Sequence, residues 1–365
     1  MRLELEPRIV PSGWVTALVS VASVLVGLVF GALVLALSGV NPLAAYRAIL
    51  ETSVLGGGYA ISDTLVKATP LLLCGLGCAV AFRARLWNVG AEGQLMLGAW
   101  AATGVASFAL PATTPSPLML FCMAIAGALA GALWAGIAGL LKARLGVNEV
   151  ITSLMLVYVA QRFLSFFIFG PWSEGGFPLT PVFPKSAWLP RLLDLGEGFA
   201  GLTLHAGLLV ALLVCGGLWL ATSRSVWGFG IRLLGDSPKA ARYAGLPVAR
   251  RMVSTLLVAG ALAGLAGMLE VAGVGHRLQD RFSPGYGFIA IAVAWLGRLH
   301  PVGVLASSLV FAALLVGSKE VQPAGIAQML QGAVMLVAVA GDFFVRYRVR
   351  LRATAPAAAK PEATP

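Results

Sequence analysis

From Trp14 to Val345 the chain is a succession of apolar stretches, most of them close to a helical membrane span in length, separated by short polar loops. No other feature constrains the fold as much. A hydrocarbon core about 30 Å thick is crossed by about 20 residues of α-helix, and in lipid each spanning segment must satisfy its own backbone N–H and C=O groups. Ten such runs are present: Trp14–Leu37, Thr64–Phe82, Ala91–Phe108, Leu118–Leu141, Val150–Phe169, Leu204–Thr222, Met252–Ala272, Tyr286–Gly297, Val302–Gly317 and Ile326–Val345. They predict an all-α, polytopic membrane helix bundle of ten segments. The eighth and ninth runs are too short for plain crossings and are expected to form a broken pair. The first is too long for the core of a cleaved signal and is expected to be a retained span.

Composition agrees with this. Of 365 residues, 59% are hydrophobic and only 11% are charged, against roughly 25% charged in a soluble domain. The 44 glycines lie largely inside the apolar runs, as at Gly127, Gly131, Gly136 and Gly139. Small residues let helix backbones approach closely in lipid, where hydrophobicity gives helices no reason to associate. The net charge of +11 does not point to nucleic acid, because the cations gather in short loops and near the C-terminus. The 223–251 loop carries Arg224, Arg232, Lys239, Arg242, Arg250 and Arg251 against Asp236, and the chain's end carries Arg346, Arg348, Arg350 and Arg352. The positive-inside rule makes both cytoplasmic. Threading the ten runs then puts both termini, Arg83/Arg85 and Lys142/Arg144 on that side. The loop 170–203, with Pro171, Pro178, Pro181, Pro184 and Pro190, lies outside as an ordered, turn-rich cap. Residues 1–352 are expected to be one membrane domain and 353–365 a disordered tail.

Two stretches echo each other. VGAEGQLMLGAW around Gly90 and PGYGFIAIAVAW around Gly285 each join a close pair of glycines to an apolar run ending in Trp100 or Trp295. Each follows a glycine-rich span, CGLG at 74–77 and AGLAG at 263–267. The threading sends the first outward and the second inward, the signature of an inverted repeat whose broken helices meet near the midplane.

The residues offer no catalytic or metal-binding constellation. His205, His276 and His300 are scattered, and Cys74, Cys78, Cys122 and Cys215 read as small residues buried in apolar segments. No phosphate-binding GxxxxGK[ST] loop occurs, so no cofactor is expected in this chain and any ATP must be bound by a partner. In GFGIRLLGDSPKAARYAGLPVARR, Asp236 is expected to N-cap a short helix with Pro238 in its first turn, and Gly245 to end it in a left-handed conformation. With Gly235 before it, this helix would present Ala240, Ala241 and Tyr243 to a partner's groove. Asn88 and Asn148 are expected N-caps, with Glu92 and Glu149 in the turns that follow. Capping accounts for these pairs; the functional alternative is that Glu92 and Gln94 line a path. Arg162, beside Gln161, lies inside a span, where a cation costs about 2.5–3.5 kcal/mol and is a functional candidate by default. Snorkelling to headgroups is the alternative reading for Arg162, and Glu270 is its candidate partner. Trp295, Tyr158, Gln94 and Gln161 supply aromatic and amide groups that would suit a sugar-like or nucleoside solute.

Four stretches together resemble one family: LWNVGAEGQLMLGAWAA (86–102), LGVNEVITSLML (145–156), GDSPKAARYAGL (235–246) and PGYGFIAIAVAWLGR (284–298). They are similar to permease subunits of ATP-binding-cassette (ABC) importers for simple sugars, nucleosides and branched-chain amino acids, closest to the nucleoside type. The likeness runs from about residue 60 to 345. It implies a transport subunit of the plasma (inner) membrane, not an enzyme, surrounded by membrane lipid. It also implies ABC ATPase subunits, a second permease subunit and an extracytoplasmic substrate-binding protein as partners, with 235–246 as the ATPase-coupling helix. One departure is Val157 before Tyr158, where such permeases often carry Asn, so solute contacts are not transferred to that span. An ion-coupled secondary transporter is the competing class. It would place carboxylates deep in broken helices, whereas Glu92, Glu149 and Glu270 lie toward segment ends. A channel or scaffold would not need a capped docking helix.

Overall fold

The computed structural model describes residues 2–7, 13–196, 201–320 and 325–352. In chain order its helices are α1 (Gly13–Leu37), α2 (Pro42–Leu50), α3 (Gly58–Arg83), α4 (Ala91–Gly104), α5 (Ser116–Leu145), α6 (Glu149–Phe169), α7 (Gly207–Arg224), α8 (Val226–Asp236), α9 (Pro238–Tyr243), α10 (Val248–Glu270), α11 (Tyr286–Leu296), α12 (Pro301–Gly317) and α13 (Ile326–Arg346). Each of the ten apolar runs coincides with one of them. The short helix expected before Gly245 is α9, and the additions are α2, capped by the Asn41 side chain with Pro42 at its first position, and α8. Among the described residues, six helical segments are long and apolar enough to cross a membrane, while Tyr286–Leu296, Pro301–Gly317 and Gln328–Val337 are shorter. One element stands apart from the all-α pattern: strands β1 (Arg2–Pro7) and β2 (Tyr347–Arg352) pair antiparallel, Arg2 opposite Arg352, and tie the two chain ends together. The tail 353–365 lies outside the described residues.

The core is built around α3. From Ala68 to Phe82 its sequence is nearly apolar on every side, and a helix of that kind has no face to offer water. Every residue from Ala68 to Phe82 is buried, and α3 touches α7, α10, α11 and α12. On the other side, α10 crosses α4 and α5 at glycine. A Cβ on Gly264 would run into the carbonyl of Gly127, and one on Gly131 into the carbonyl of Gly260. The expectation of close approach therefore holds at Gly127 and Gly131, whereas Gly136 and Gly139 face Leu257 and Leu256.

The neighbour relations form a repeat. Exchanging α3 with α10, α4 with α11, α5 with α12 and α6 with α13 maps one set of packed pairs onto another. Thus α10 packs on α4 and α5 as α3 packs on α11 and α12, and α4–α5, α4–α6 and α5–α6 answer to α11–α12, α11–α13 and α12–α13. The bundle has a basic end, which carries the arginine-rich loops, and a cap end, which carries the proline-rich loop.

Replacing Gly264 by Val is expected to lower the melting temperature in detergent by the cost of overpacking a tight core, about 1–3 kcal/mol. Gly216→Val, at a position with nothing within 4 Å, is the control and is expected to melt like the parent. Equal melting of both variants would remove the close-approach role.

Candidate functional site

The two echoing motifs meet. The N-terminus of α4 abuts the N-terminus of α11, with Gly287 so close that a Cβ there would overlap the backbone of Ala91 and Glu92. Glu92 is 2% exposed, and its Oε2 accepts a hydrogen bond from Gly287 N at 2.6 Å. Glu92 thus caps the partner half-helix with its side chain while standing in the first turn of its own. A carboxylate there compensates two positive dipole ends at once. Asn88 does not N-cap α4, as the sequence suggested; Gly90 occupies that position with no side-chain cap. The Asn88 amide instead pairs reciprocally with Gln94 at 3.0 and 2.8 Å, and its Oδ1 also accepts from Gly90 N at 3.2 Å. This local network satisfies the polar groups that the break between α3 and α4 leaves in an apolar interior.

The half-helices run apart from this junction toward opposite ends. Trp100 stacks on Trp172 at 5.6 Å and touches Phe163 and Phe167 near the far end of α6. Trp295, half-buried, stacks on Trp87 at 5.8 Å beside Phe82 at the basic end. The paired Trp clusters are the aromatic expression of the repeat.

At the cap-end side of the junction lies a buried ion pair. Lys67 Nζ of α3 is 2.8 Å from Glu270 Oε1 of α10, and the Tyr286 hydroxyl of α11 donates to the same oxygen at 3.0 Å. The expected Arg162–Glu270 pair does not form, because Lys67 occupies the acid while Arg162 faces outward on α6. Lys67 escaped the sequence reading although it is a cation inside the run Thr64–Phe82, the same signal that drew attention to Arg162. Lys67→Met alone leaves Glu270 buried without its cation and is expected to cost about 3–5 kcal/mol. The double variant Lys67→Met/Glu270→Met is expected to recover most of that in detergent denaturation. Equal stability of the single and double variants would show the pair to be uncoupled.

The cap loop is strapped over this cluster. Phe183 N donates to His276 O at 2.7 Å and Leu189 N to Ala272 O at 3.0 Å. Arg191 donates to Gly273 O at 2.8 Å and approaches His276 Nε2 at 2.6 Å. A guanidinium only donates, so that nitrogen is a bare acceptor and the His276 ring is neutral. Trp188 lies flat against the ring at 3.8 Å. Burial first and the Arg191 charge second push both His205 and His276 down to about 4. In the unfolded chain both rings would protonate near the usual value of about 6.5. Their contribution to stability is therefore complete above that pH and is lost as pH falls toward 4. Melting temperature is expected to drop across this window, and His205→Gln/His276→Asn to flatten the profile; an identical slope would discard the assignment.

At the basic end, Ser237 caps α9, its hydroxyl accepting from Ala240 N at 3.2 Å, with Pro238 at the first helical position. This corrects the expected cap: Asp236 is exposed and is the last residue of α8. Gly245 ends the helix at φ 75°, with Leu246 N donating to Ala241 O at 3.0 Å. Tyr243 is 94% exposed and Ala240 is also open, but Ala241 is fully buried and is not presented. Gly235 lies so close to the Arg83 carbonyl that a side chain there would collide with it. The loop is thereby fastened to the end of α3.

On α6, Asn148 caps the helix through Val150 N at 2.9 Å, and Glu149 pairs with Lys142 of α5 at 2.8 Å. One side of α6 packs on α4 through Val157 and Ala160. The opposite side, with Tyr158, Gln161 and Arg162, is exposed. The six candidate path residues therefore separate: Asn88, Glu92 and Gln94 are sealed in the junction, Gln161 and Arg162 lie on the open face of α6, and Trp295 stands at the basic end. Among the described residues no cluster of His, Cys, Asp or Glu could hold a metal ion.

Half-helices meeting head to head inside an inverted repeat of membrane spans define a polytopic transport protein. Residues 60–339 match the family described as the permease component of branched-chain amino acid transport systems, and the chain belongs to that family. It is 38% identical to the glucose ABC transporter permease protein TsgB13 of Haloferax volcanii, over 96% of this chain and 94% of that one. It is 33% identical to the guanosine ABC transporter permease protein NupP of Bacillus subtilis, over 90% and 94%. Against the nucleoside ABC transporter permease protein NupB of Lactococcus lactis the identity is 31%, over 93% of each. The chain is an ABC transporter permease, and these relatives favour that reading over an ion-coupled transporter.

Proposed function

We propose that this chain forms one half of the path by which an ATP-driven importer carries a nucleoside or a related sugar-like solute across the inner membrane. The basic end and both termini face the cytoplasm, and the cap end faces outward. Relatives named for glucose, guanosine and nucleosides support the solute class. The observation that carries the mechanism is the capped helix α9, exposed at Tyr243 and tied through Gly235 to the base of α3.

An ABC ATPase subunit receives α9, and its closure on ATP moves α8 and α9 against Arg83. The lever is α3, about 39 Å long at 1.5 Å per residue, whose far part holds Glu270 of α10 through Lys67. Displacement at the basic end is thus delivered to both halves of the repeat. This chain holds no cofactor, since the ATP sits on the partner. A second permease subunit faces the open side of α6, where Tyr158, Gln161 and Arg162 meet a shared aqueous path rather than lipid. A cation at that depth favours water over hydrocarbon. An extracytoplasmic binding protein delivers solute at the cap.

The test uses the complete complex in proteoliposomes. Tyr243→Asp and Gly245→Pro are expected to leave insertion and binding-protein docking intact while ATP hydrolysis no longer drives uptake. Parental uptake in both variants would remove the docking role of α9. Uptake by this chain alone on an ion gradient would overturn the importer reading.

A further inference from the structure

Beside the docking helix, a groove runs between the basic ends of α5 and α10. A cavity of about 610 Å³ is lined by Lys142 and Gly146 of the α5 end, Arg242 of α9, and Pro247, Val248 and Arg250 at the start of α10. A second cavity, of about 350 Å³, shares Ala143, Ala249 and Arg250 with the first and continues over Leu140, Val253 and Leu257. Together they make one trough, cationic at its mouth and apolar along its floor. Arg144 also lines the second cavity.

The charges in the trough are unbalanced. Lys142 is paired with Glu149 at 2.8 Å. Arg144, Arg242 and Arg250 are exposed and form no ion pair among the described residues. The first turn of α10 adds to them. Pro247 supplies no side-chain cap, and the helix's first backbone bond is Arg251 N to Pro247 O at 2.9 Å. The N–H groups of Val248, Ala249 and Arg250 therefore lack a side-chain partner at the positive end of a 23-residue helix. Arg242 at the first cavity, Arg144 at the second and Arg250 at both place three guanidinium groups from three helices along the trough, and with the N–H groups at its edge they suit a singly or doubly charged oxyanion. The floor then selects among anions. Leu140, Val253 and Leu257 belong to the membrane runs of α5 and α10, so the trough opens onto the bilayer, and a soluble phosphate ester has nothing to place there.

We propose that this trough binds an anionic phospholipid, with its phosphate among Arg144, Arg242 and Arg250 and one acyl chain along Leu140, Val253 and Leu257. Because Arg242 belongs to α9, the bound lipid also braces the docking helix against α5 and α10. That consequence rests on the coupling role proposed for α9; the binding does not.

The full chain, extracted from vesicles of phosphatidylglycerol and phosphatidylcholine, is examined by native mass spectrometry. The parent is expected to retain phosphatidylglycerol. Arg144→Gln/Arg242→Gln/Arg250→Gln is expected to bind it more weakly by on the order of 100-fold, as removal of three cations near an anionic headgroup implies. Arg224→Gln/Lys239→Gln, of equal chemistry elsewhere in the basic loop, is expected to retain it. A lipid-free melt equal to the parent's establishes that the triple variant folds, and Arg144→Gln alone, at the exposed end of α5, is expected to lose part of the binding. Equal retention in the parent and triple variant overturns the site. So does equal retention of phosphatidylcholine, or complete displacement by inorganic phosphate. ATP-driven uptake in the complex is read separately: lost retention with unchanged uptake supports the lipid site and detaches it from the coupling role of α9.

Discussion

Two helix N-termini meeting inside an apolar bundle set the terms for the rest of the structure. Each carries unsatisfied N–H groups and a positive partial charge, and water is not there to screen either. Glu92 answers both, standing in the first turn of α4 and accepting from Gly287 N of α11. The close approach that allows this depends on Gly287 lacking a side chain, and the Asn88–Gln94 amide pair closes the polar groups beside it. With that junction fixed, α4 and α11 can depart in opposite directions, and the remaining helices arrange around them as two inverted sets.

The junction lies at a distance from both the basic end and the cap end, and α3 connects them. At its base the Arg83 carbonyl receives Gly235 of α8; nearer its start Lys67 holds Glu270, which in turn holds Tyr286 at the head of α11. A buried ion pair of this kind contributes little net stability but is costly to break, which fixes the register of α3 against α10. The cap-end straps from Phe183, Leu189 and Arg191 fasten the link between α10 and α11, so that the cap loop and the half-helix are parts of one unit.

Local features were legible where the local chemistry left one solution. The ten apolar runs mark ten helices, and Pro238, Gly245 and Asn148 lie at the helix ends their residue types favour. Helix α9 shows the limit of that reasoning. Asp236 and Ser237 are adjacent and both are good caps, and the choice between them depends on where α8 stops, which its packing on Arg83 decides. Ala241 likewise looked presentable in sequence but is the residue that α9 turns inward. The partner of Glu270 was misassigned because Lys67 and Arg162 are both cations inside spans, and only the crossing of α3 and α10 brings one of them to the acid.

The sequence by itself determined that this chain is a membrane bundle, roughly where its ten main helices lie, and that it contains two echoing breaks. Those properties follow from the length of apolar runs, from capping residues and from glycine, all of which act within a few residues. Tertiary structure alone decided that Glu92 caps the opposite half-helix, that Lys67 is the ion-pair partner, and that Arg144, Arg242 and Arg250 gather around one trough. Charges and dipoles act through space, and in a low-dielectric interior their partners are chosen by which helices cross, a relation that spacing along the chain does not carry.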